Sequence, residues 1–171
     1  MRHAAPILLM LAGLGLSACA SGGPGVGVPI GTRTRLTCVP FAAEVSGISL
    51  PGDAWQWWAA ARGHYARAHA PMIGSVLVFR PTAAMPDGHV AVVTAVLSRR
   101  EILVAHANWT RGRINTGQPV IDVSSGNTWR AVRVWYPPVN QMGISTYRTY
   151  GFILPPSEPT PQDLEQRVAT E

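Results

Sequence analysis

The stretch from His89 to Trp109 limits the fold more than any other part of the chain. His89-Val90-Ala91-Val92-Val93-Thr94-Ala95-Val96-Leu97 and Glu101-Ile102-Leu103-Val104-Ala105-His106-Ala107-Asn108-Trp109 are two β-rich apolar runs joined by Ser98-Arg99-Arg100. A connection that short allows only antiparallel pairing, because a parallel return needs a crossover of about a dozen residues or more. Further strands flank this hairpin. Ser75–Phe79 is a short apolar run between Gly74 and Pro81, and Met85-Pro86-Asp87-Gly88 is a turn signal ahead of the hairpin. Pro119–Val123 and Trp129–Trp135 follow, with Ser124-Ser125-Gly126-Asn127 turning between them, and Tyr147–Leu154 adds an edge strand or a docking segment.

Two helical stretches precede the strands. In Thr37–Gly47, Phe41, Val45 and Ile48 recur at i, i+4, i+7 and form an apolar stripe. Pro40 is tolerated in the first turn, where amides have no intrahelical partner to lose, and Gly47 suits the left-handed position past the end. Pro51-Gly52-Asp53 turns the chain, and Asp53 is a good N-cap for a second helix over about 54–61. Trp55 and Trp58 are expected on its core face, with Trp57 pointing elsewhere. Helices followed by strands is an α+β order: N-terminal helices packed on an antiparallel sheet of about five to six strands.

The chain of 171 residues has room for one domain with a core, and its ends look different from core. Residues 1–18 read as a secretory signal, with Arg2 and His3 ahead of the apolar run Ile7–Leu16, which at about ten residues is too short to span a bilayer. The run ends in Leu16-Ser17-Ala18-Cys19, which resembles the lipobox of bacterial lipoproteins. That resemblance implies acylation of Cys19 and an N-terminal membrane anchor. Ala20 and Ser21, with no aspartate after the cysteine, imply the outer membrane facing the periplasm. The alternative is ordinary cleavage near Ala18 or Ala20. Residues 19–32 are a Gly/Pro tether, 33–154 the domain, and 155–171, rich in Pro, Ser, Thr, Gln and Glu, a disordered tail.

Fourteen basic residues, all arginine, face nine acids, for a formal charge of +5. The excess suits an anionic envelope surface. It does not indicate nucleic acid: no basic run exceeds Arg99-Arg100, and no stacking aromatics interleave with the arginines. His64 and His69, at i, i+5, share no helix face and have no carboxylate nearby, so a solvated loop is expected there, with no metal and no cofactor. Asp122 reads as a turn or edge residue that could meet Arg113 or Arg130.

The chemistry centres on Cys38. A Cys19–Cys38 disulfide is arithmetically allowed but would tie a leader to the core, and a buried inert thiol is the bland alternative. At the first turn of a helix, free N–H groups and the helix dipole favour negative charge, which is expected to lower the thiol pKa and make a nucleophile. Such a nucleophile needs a base, and the base an orienting group. His89 opens the first hairpin strand. His106 and Asn108, two apart, share a face with Ile102 and Val104 on the second. With the turn near Arg99, positions 89–91 fall roughly opposite 106–108.

These residues resemble the CHAP domains, cysteine- and histidine-dependent amidohydrolases and peptidases of bacterial cell walls, related to the NlpC-like peptidases of the papain-like fold. The likeness rests on Cys38-Val39-Pro40-Phe41-Ala42, Gly52-Asp53-Ala54 with Trp58, Gly74–Phe79, Gly88–Val93 and His106-Ala107-Asn108-Trp109, in that order over roughly residues 35–136. It implies a papain-like domain with Cys38 as nucleophile and His89 as general base, acting on the stem peptide of peptidoglycan. His106 or Asn108 would orient His89; Trp58 and Trp109 are candidate groove walls, with core packing the alternative for both. Many CHAP domains carry a glutamate where His106 stands and a glutamine where Thr37 stands. The histidine matches the NlpC-like relatives; the threonine removes a side-chain oxyanion donor. An amidase or endopeptidase, working as a monomer, is the expected function. A catalytically inactive wall-binding or interaction module and a small-molecule cysteine amidase are the competitors.

Overall fold

A computed structural model describes residues 29–30 and 36–171. The signal segment 1–18, Cys19 and most of the tether 19–32 lie outside the described residues. The strands are β1 Pro29–Ile30, β2 Arg67–Ala68, β3 Val76–Phe79, β4 His89–Ser98, β5 Glu101–Ala107, β6 Ile114–Asp122, β7 Ala131–Tyr136, β8 Gln141–Met142 and β9 Tyr147–Ile153. The helices are α1 Cys38–Ser46, α2 Trp57–Ala60 and α3 Pro161–Ala169, with 3-10 turns at Ala54–Gln56 and Pro137–Val139.

The strands run in the order β1-β6-β5-β4-β3-β9-β7-β8, all pairs antiparallel, and a further β6–β7 pairing closes β3, β4, β5, β6, β7 and β9 into a six-stranded barrel. The expectation of N-terminal helices packed on an antiparallel sheet of about five to six strands holds in part: α1 packs on the sheet, but the sheet closes on itself and the helices are few. The closure depends on β6 reaching β7 through Val120↔Val134 and Asp122↔Val132. It leaves the six ring strands without a free edge. β6 also begins earlier than Pro119, because Asn115 and Gln118 are buried in it although polar.

The two-residue alternation of each strand divides the core in two. Leu77, Phe79, Ala91, Val93, Ile102 and Val104 fill the barrel with Val120, Trp129 and Phe152. Val76, Val78, Val90, Val92, Ala105 and Ala107 point outward and are covered by Phe41, Ala42 and Val45 of α1 and by Ile48 just past its end. β3, β4 and β5 are therefore apolar on both faces, which is why they read as nearly continuous hydrophobic runs. The i, i+4, i+7 stripe of α1 is fully buried, and Gly47, at φ 73°, donates its N–H to the Ala43 carbonyl at 2.9 Å to end the helix.

Three expectations are corrected here. The second helix starts as a 3-10 turn, and Trp57, not Trp55 with Trp58, is its fully buried tryptophan, while Trp55 is 38% exposed. The spacing holds and the phase is off by one: Ala54, Trp57 and Ala61 are the buried positions of this stretch. The tail is no disordered segment. Thr160, whose side chain caps the Asp163 amide, starts α3, and Leu164 and Val168 are buried against the α1 layer, with Arg167 Nη1 donating to the Val45 carbonyl at 3.1 Å. Its polar composition hid two apolar residues at helical spacing. Finally, Pro29 and Ile30, inside the expected tether, pair with Asn115 and Ile114 of β6, so ordered sheet begins before residue 33.

Candidate active site

Cys38 is the first residue of α1, and Thr37 before it holds extended backbone without a side-chain cap. Because the apolar stripe of α1 packs on β4 and β5, the start of the helix comes against the start of β4. The half-buried thiol lies at the backbone amide of Val90, the residue after His89. Burial pushes the thiol pKa up, the amides of Val90, Cys38 and Val39 pull it down, and the charge of Asp87 pushes it up further. Burial wins, and the pKa lies above its ordinary value. The expectation of a depressed pKa fails because desolvation exceeds what helix-terminal amides return.

Gly88, at φ 68°, delivers β4 to this point. A side chain there would come within 2.8 Å of the Phe79 carbonyl and 3.0 Å of Trp55. His89 follows, and its ring enters the barrel. The pairing Val92↔Ala105 carried three residues further sets His89 diagonally across from His106. His89 Nε2 and His106 Nδ1 are 3.1 Å apart, one donating and the other accepting. His89 is 4% exposed and His106 is fully buried.

Aromatic rings box in this pair. Trp109 stacks on His106 with centroids 5.4 Å apart and planes within 17°, and lies 5.2 Å from His89. Phe79 meets His89 edge-on at 5.6 Å, and Tyr147 meets Trp109 at 5.1 Å. Among the described residues, no carboxylate bonds to either ring of the pair. Burial accordingly lowers the His89 pKa to about 3 and holds His106 well below its ordinary value, with the His89 charge adding to the effect on His106. Both rings are neutral at pH 7. Among the described residues, the Nε2 of His106 and the Nε1 of Trp109 are buried without a hydrogen-bond partner.

Residues 28–108 match the family model of the CHAP domain. This chain carries a CHAP domain. No curated protein matches it. The CHAP match includes Cys38, His89 and His106 and stops at Asn108, before the three strands that close the barrel. CHAP domains are generally of amidohydrolase or peptidase type, which ties the chain at that level to peptidoglycan.

Within the CHAP domain the remaining expected site residues separate. Trp109 sits over the histidines. Asn108 does not reach them: β5 ends at Ala107, Asn108 takes left-handed backbone at φ 62°, and its exposed side chain accepts from the Gly112 amide at 2.9 Å. The backbone reversal removes it from the face it would share with His106. Trp58 lies elsewhere, stacked on Tyr150 at 6.2 Å under the Arg67 guanidinium, because the buried Trp57 turns it toward β9. Asp122 pairs with Arg100 at 3.2 Å rather than with Arg113 or Arg130. Sequence reasoning missed Phe79, Tyr147 and Asp87. Phe79 was legible as the last residue of the strand paired with His89; Tyr147 carried no local signal.

Proposed function

We propose that this CHAP domain is a thiol-dependent peptidoglycan hydrolase, an amidase or endopeptidase acting on the stem peptide. The observation that carries the reading is the buried 3.1 Å histidine pair at the head of β4, next to the strand residue whose amide meets the Cys38 thiol.

In the resting site thiol and imidazole are both neutral, so His89 acts as a general base during attack and not as half of a standing ion pair. Cys38 Sγ attacks the amide carbonyl carbon as its proton passes to His89. The backbone N–H of Cys38, in a first turn where amides lack intrahelical acceptors, donates to the developing oxyanion. His89 then protonates the leaving amine, leaving an acyl thioester. Water attacks the thioester, again losing its proton to His89, and the carboxylate departs as the thiol is restored. His106 holds the His89 ring through the Nε2–Nδ1 contact. It gives orientation without the charge a carboxylate would supply to an imidazolium.

Zymography on purified peptidoglycan tests this. The intact protein is expected to clear and Cys38→Ala to leave the gel opaque; equal clearing by both would refute thiol catalysis. Mass spectrometry of a digested muropeptide identifies the bond through the new amine or lactyl end. A silent wall-binding module is the second reading, favoured by the absence of a carboxylate beside His89. It predicts no clearing by either protein and equal sedimentation of both with insoluble wall. We further propose that Cys19 is acylated and anchors the domain to the outer membrane facing the periplasm. Radiolabelled palmitate should enter the intact chain and not Cys19→Ser.

A further inference from the structure

The outer face of β9, two strands round the ring from β4, carries a second cluster. The Trp58 and Tyr150 rings stack with planes 17° apart. The Arg67 guanidinium lies 4.9 Å over Trp58 and that of Arg80 4.4 Å over Tyr150. Each arginine is also held by a backbone carbonyl, Arg67 Nη1 by that of Trp58 at 2.9 Å and Arg80 Nε by that of Thr149 at 3.2 Å. His69 tilts against Trp58 at 6.0 Å, and Arg130 Nη2 stands 3.3 Å from its Nε2. Arg148 is exposed two residues before Tyr150. Past His69 an open cleft of about 340 Å³ includes Val96, Ser98, Arg99 and Asn127 in its walls.

Among the described residues, no carboxylate forms an ion pair with Arg67, Arg80, Arg130 or Arg148. All nine acids of the chain are among the described residues, and the ion pair formed there joins Asp122 to Arg100, away from the stack. Glu158, Asp163, Glu165 and Glu171 lie on the C-terminal segment instead. Guanidiniums fixed by a ring and a carbonyl keep their remaining donors free in a set geometry, which suits phosphate. The rings are covered by the guanidiniums and by one another, so stacking on a sugar or a base is not what the face offers. Val96, in the cleft, is 42% exposed and Leu97 beside it 51%. Arginines mixed with tryptophan, tyrosine and aliphatic side chains match a headgroup layer better than a soluble anion.

We propose that this face docks on a bilayer rich in anionic phospholipid, with Arg67, Arg80 and Arg130 on lipid phosphates and Val96 and Leu97 at the headgroup boundary. The contact is separate from the thiol site and stands whether or not that site is active. The test is co-sedimentation of the full chain carrying Cys19→Ser, so that acylation is absent and every sample has the same leader. The vesicles are phosphatidylcholine alone or with about one third phosphatidylglycerol, at low and high salt. The chain is expected to prefer the anionic vesicles and to lose that preference at high salt.

The triple substitution Arg67→Gln, Arg80→Gln, Arg130→Gln should weaken anionic-vesicle binding by about a hundredfold. The charge-matched control Arg62→Gln, Arg111→Gln, Arg113→Gln should stay within about threefold of the parent. Should the first triple fail to give a cooperative thermal melt, Arg130→Gln with Arg148→Gln, both exposed, should weaken binding by about twentyfold. Equal losses in patch and control variants, or equal binding to both vesicle types, would overturn the proposal. So would tight binding of soluble polyphosphate with no binding to anionic vesicles, which would assign the face to a soluble polyanion.

Discussion

Trp109 and Trp58 each lie against basic side chains, and their two regions end in opposite charge states. Trp109 covers His106 inside one end of the barrel, where His106 is fully buried and His89 nearly so. Trp58 carries Arg67 on the outer face, where solvent supports the charge. The aromatic contact is similar, and burial decides what it holds. A histidine can shed its proton to enter a low-dielectric site; an arginine cannot, so it stays at the surface with its head in water. The interior region therefore holds neutral, titratable rings, and the exterior one holds fixed positive charge.

The sharpest way to break this division is to delete chemistry on one side. Cys38→Ala or His89→Ala should lower muropeptide turnover by about a thousandfold or more, whereas Arg67→Gln should leave turnover of a soluble muropeptide within about twofold. Loss of turnover in Arg67→Gln would mean that the two regions are one site.

Acid titration sharpens the same contrast. His89 serves as a base only when neutral, and with its pKa lowered to about 3 the acid limb of kcat/KM should lie far below the ordinary histidine range. The sign for stability follows from the same shift. The unfolded chain takes up a proton near pH 6.5 that the folded one refuses until about pH 3. Stability is thus complete above about 6.5 and falls as pH drops through that window, by about 1.4 kcal/mol per pH unit for each such histidine. Urea unfolding at pH 7 and pH 5 measures it, and a flat result would show that the pair is not neutral and buried in solution.

Smaller effects separate the two tryptophans and the two histidines. Trp109→Ala should admit water to the pair and move the acid limb of kcat/KM up toward the ordinary histidine range, while Trp58→Ala should leave the profile unmoved. His106→Gln should lower kcat by about tenfold to a hundredfold with KM nearly constant, and should flatten the acid loss of stability by one histidine's share. The smallest change expected is in Arg67→Gln, whose thermal unfolding should shift by no more than about 1 kcal/mol, the scale of an exposed cation–π contact.

Much of the domain was legible because its signals are local. The short Ser98-Arg99-Arg100 link forced the hairpin, and the stripe Phe41, Val45, Ile48 forced α1 and put Cys38 at its start. His89 heads its strand and contacts His106, as the alternation required. Other features depended on what each segment meets. Asn108 keeps the right parity but leaves the strand one residue too early. Trp57 takes the fully buried position while Trp58 packs only partly buried against the same cluster, a choice that neighbouring residues do not reveal. α3 is polar in composition, and its Leu164 and Val168 matter only once α1 is there to receive them.

The sequence by itself determined the order of the main elements, the hairpin, the helix that begins at Cys38 and the His89–His106 contact across the hairpin, because periodicity and turn length act over a few neighbouring residues. Only the tertiary structure decided that the sheet closes, that the thiol and imidazole rest uncharged, that His106 and not Asn108 meets His89, and that Arg67 and Arg80 lie over the stacked Trp58 and Tyr150 rings. Those outcomes depend on burial and on contacts between segments far apart in the chain. Desolvation and long-range strand pairing have no signature in any single stretch of residues.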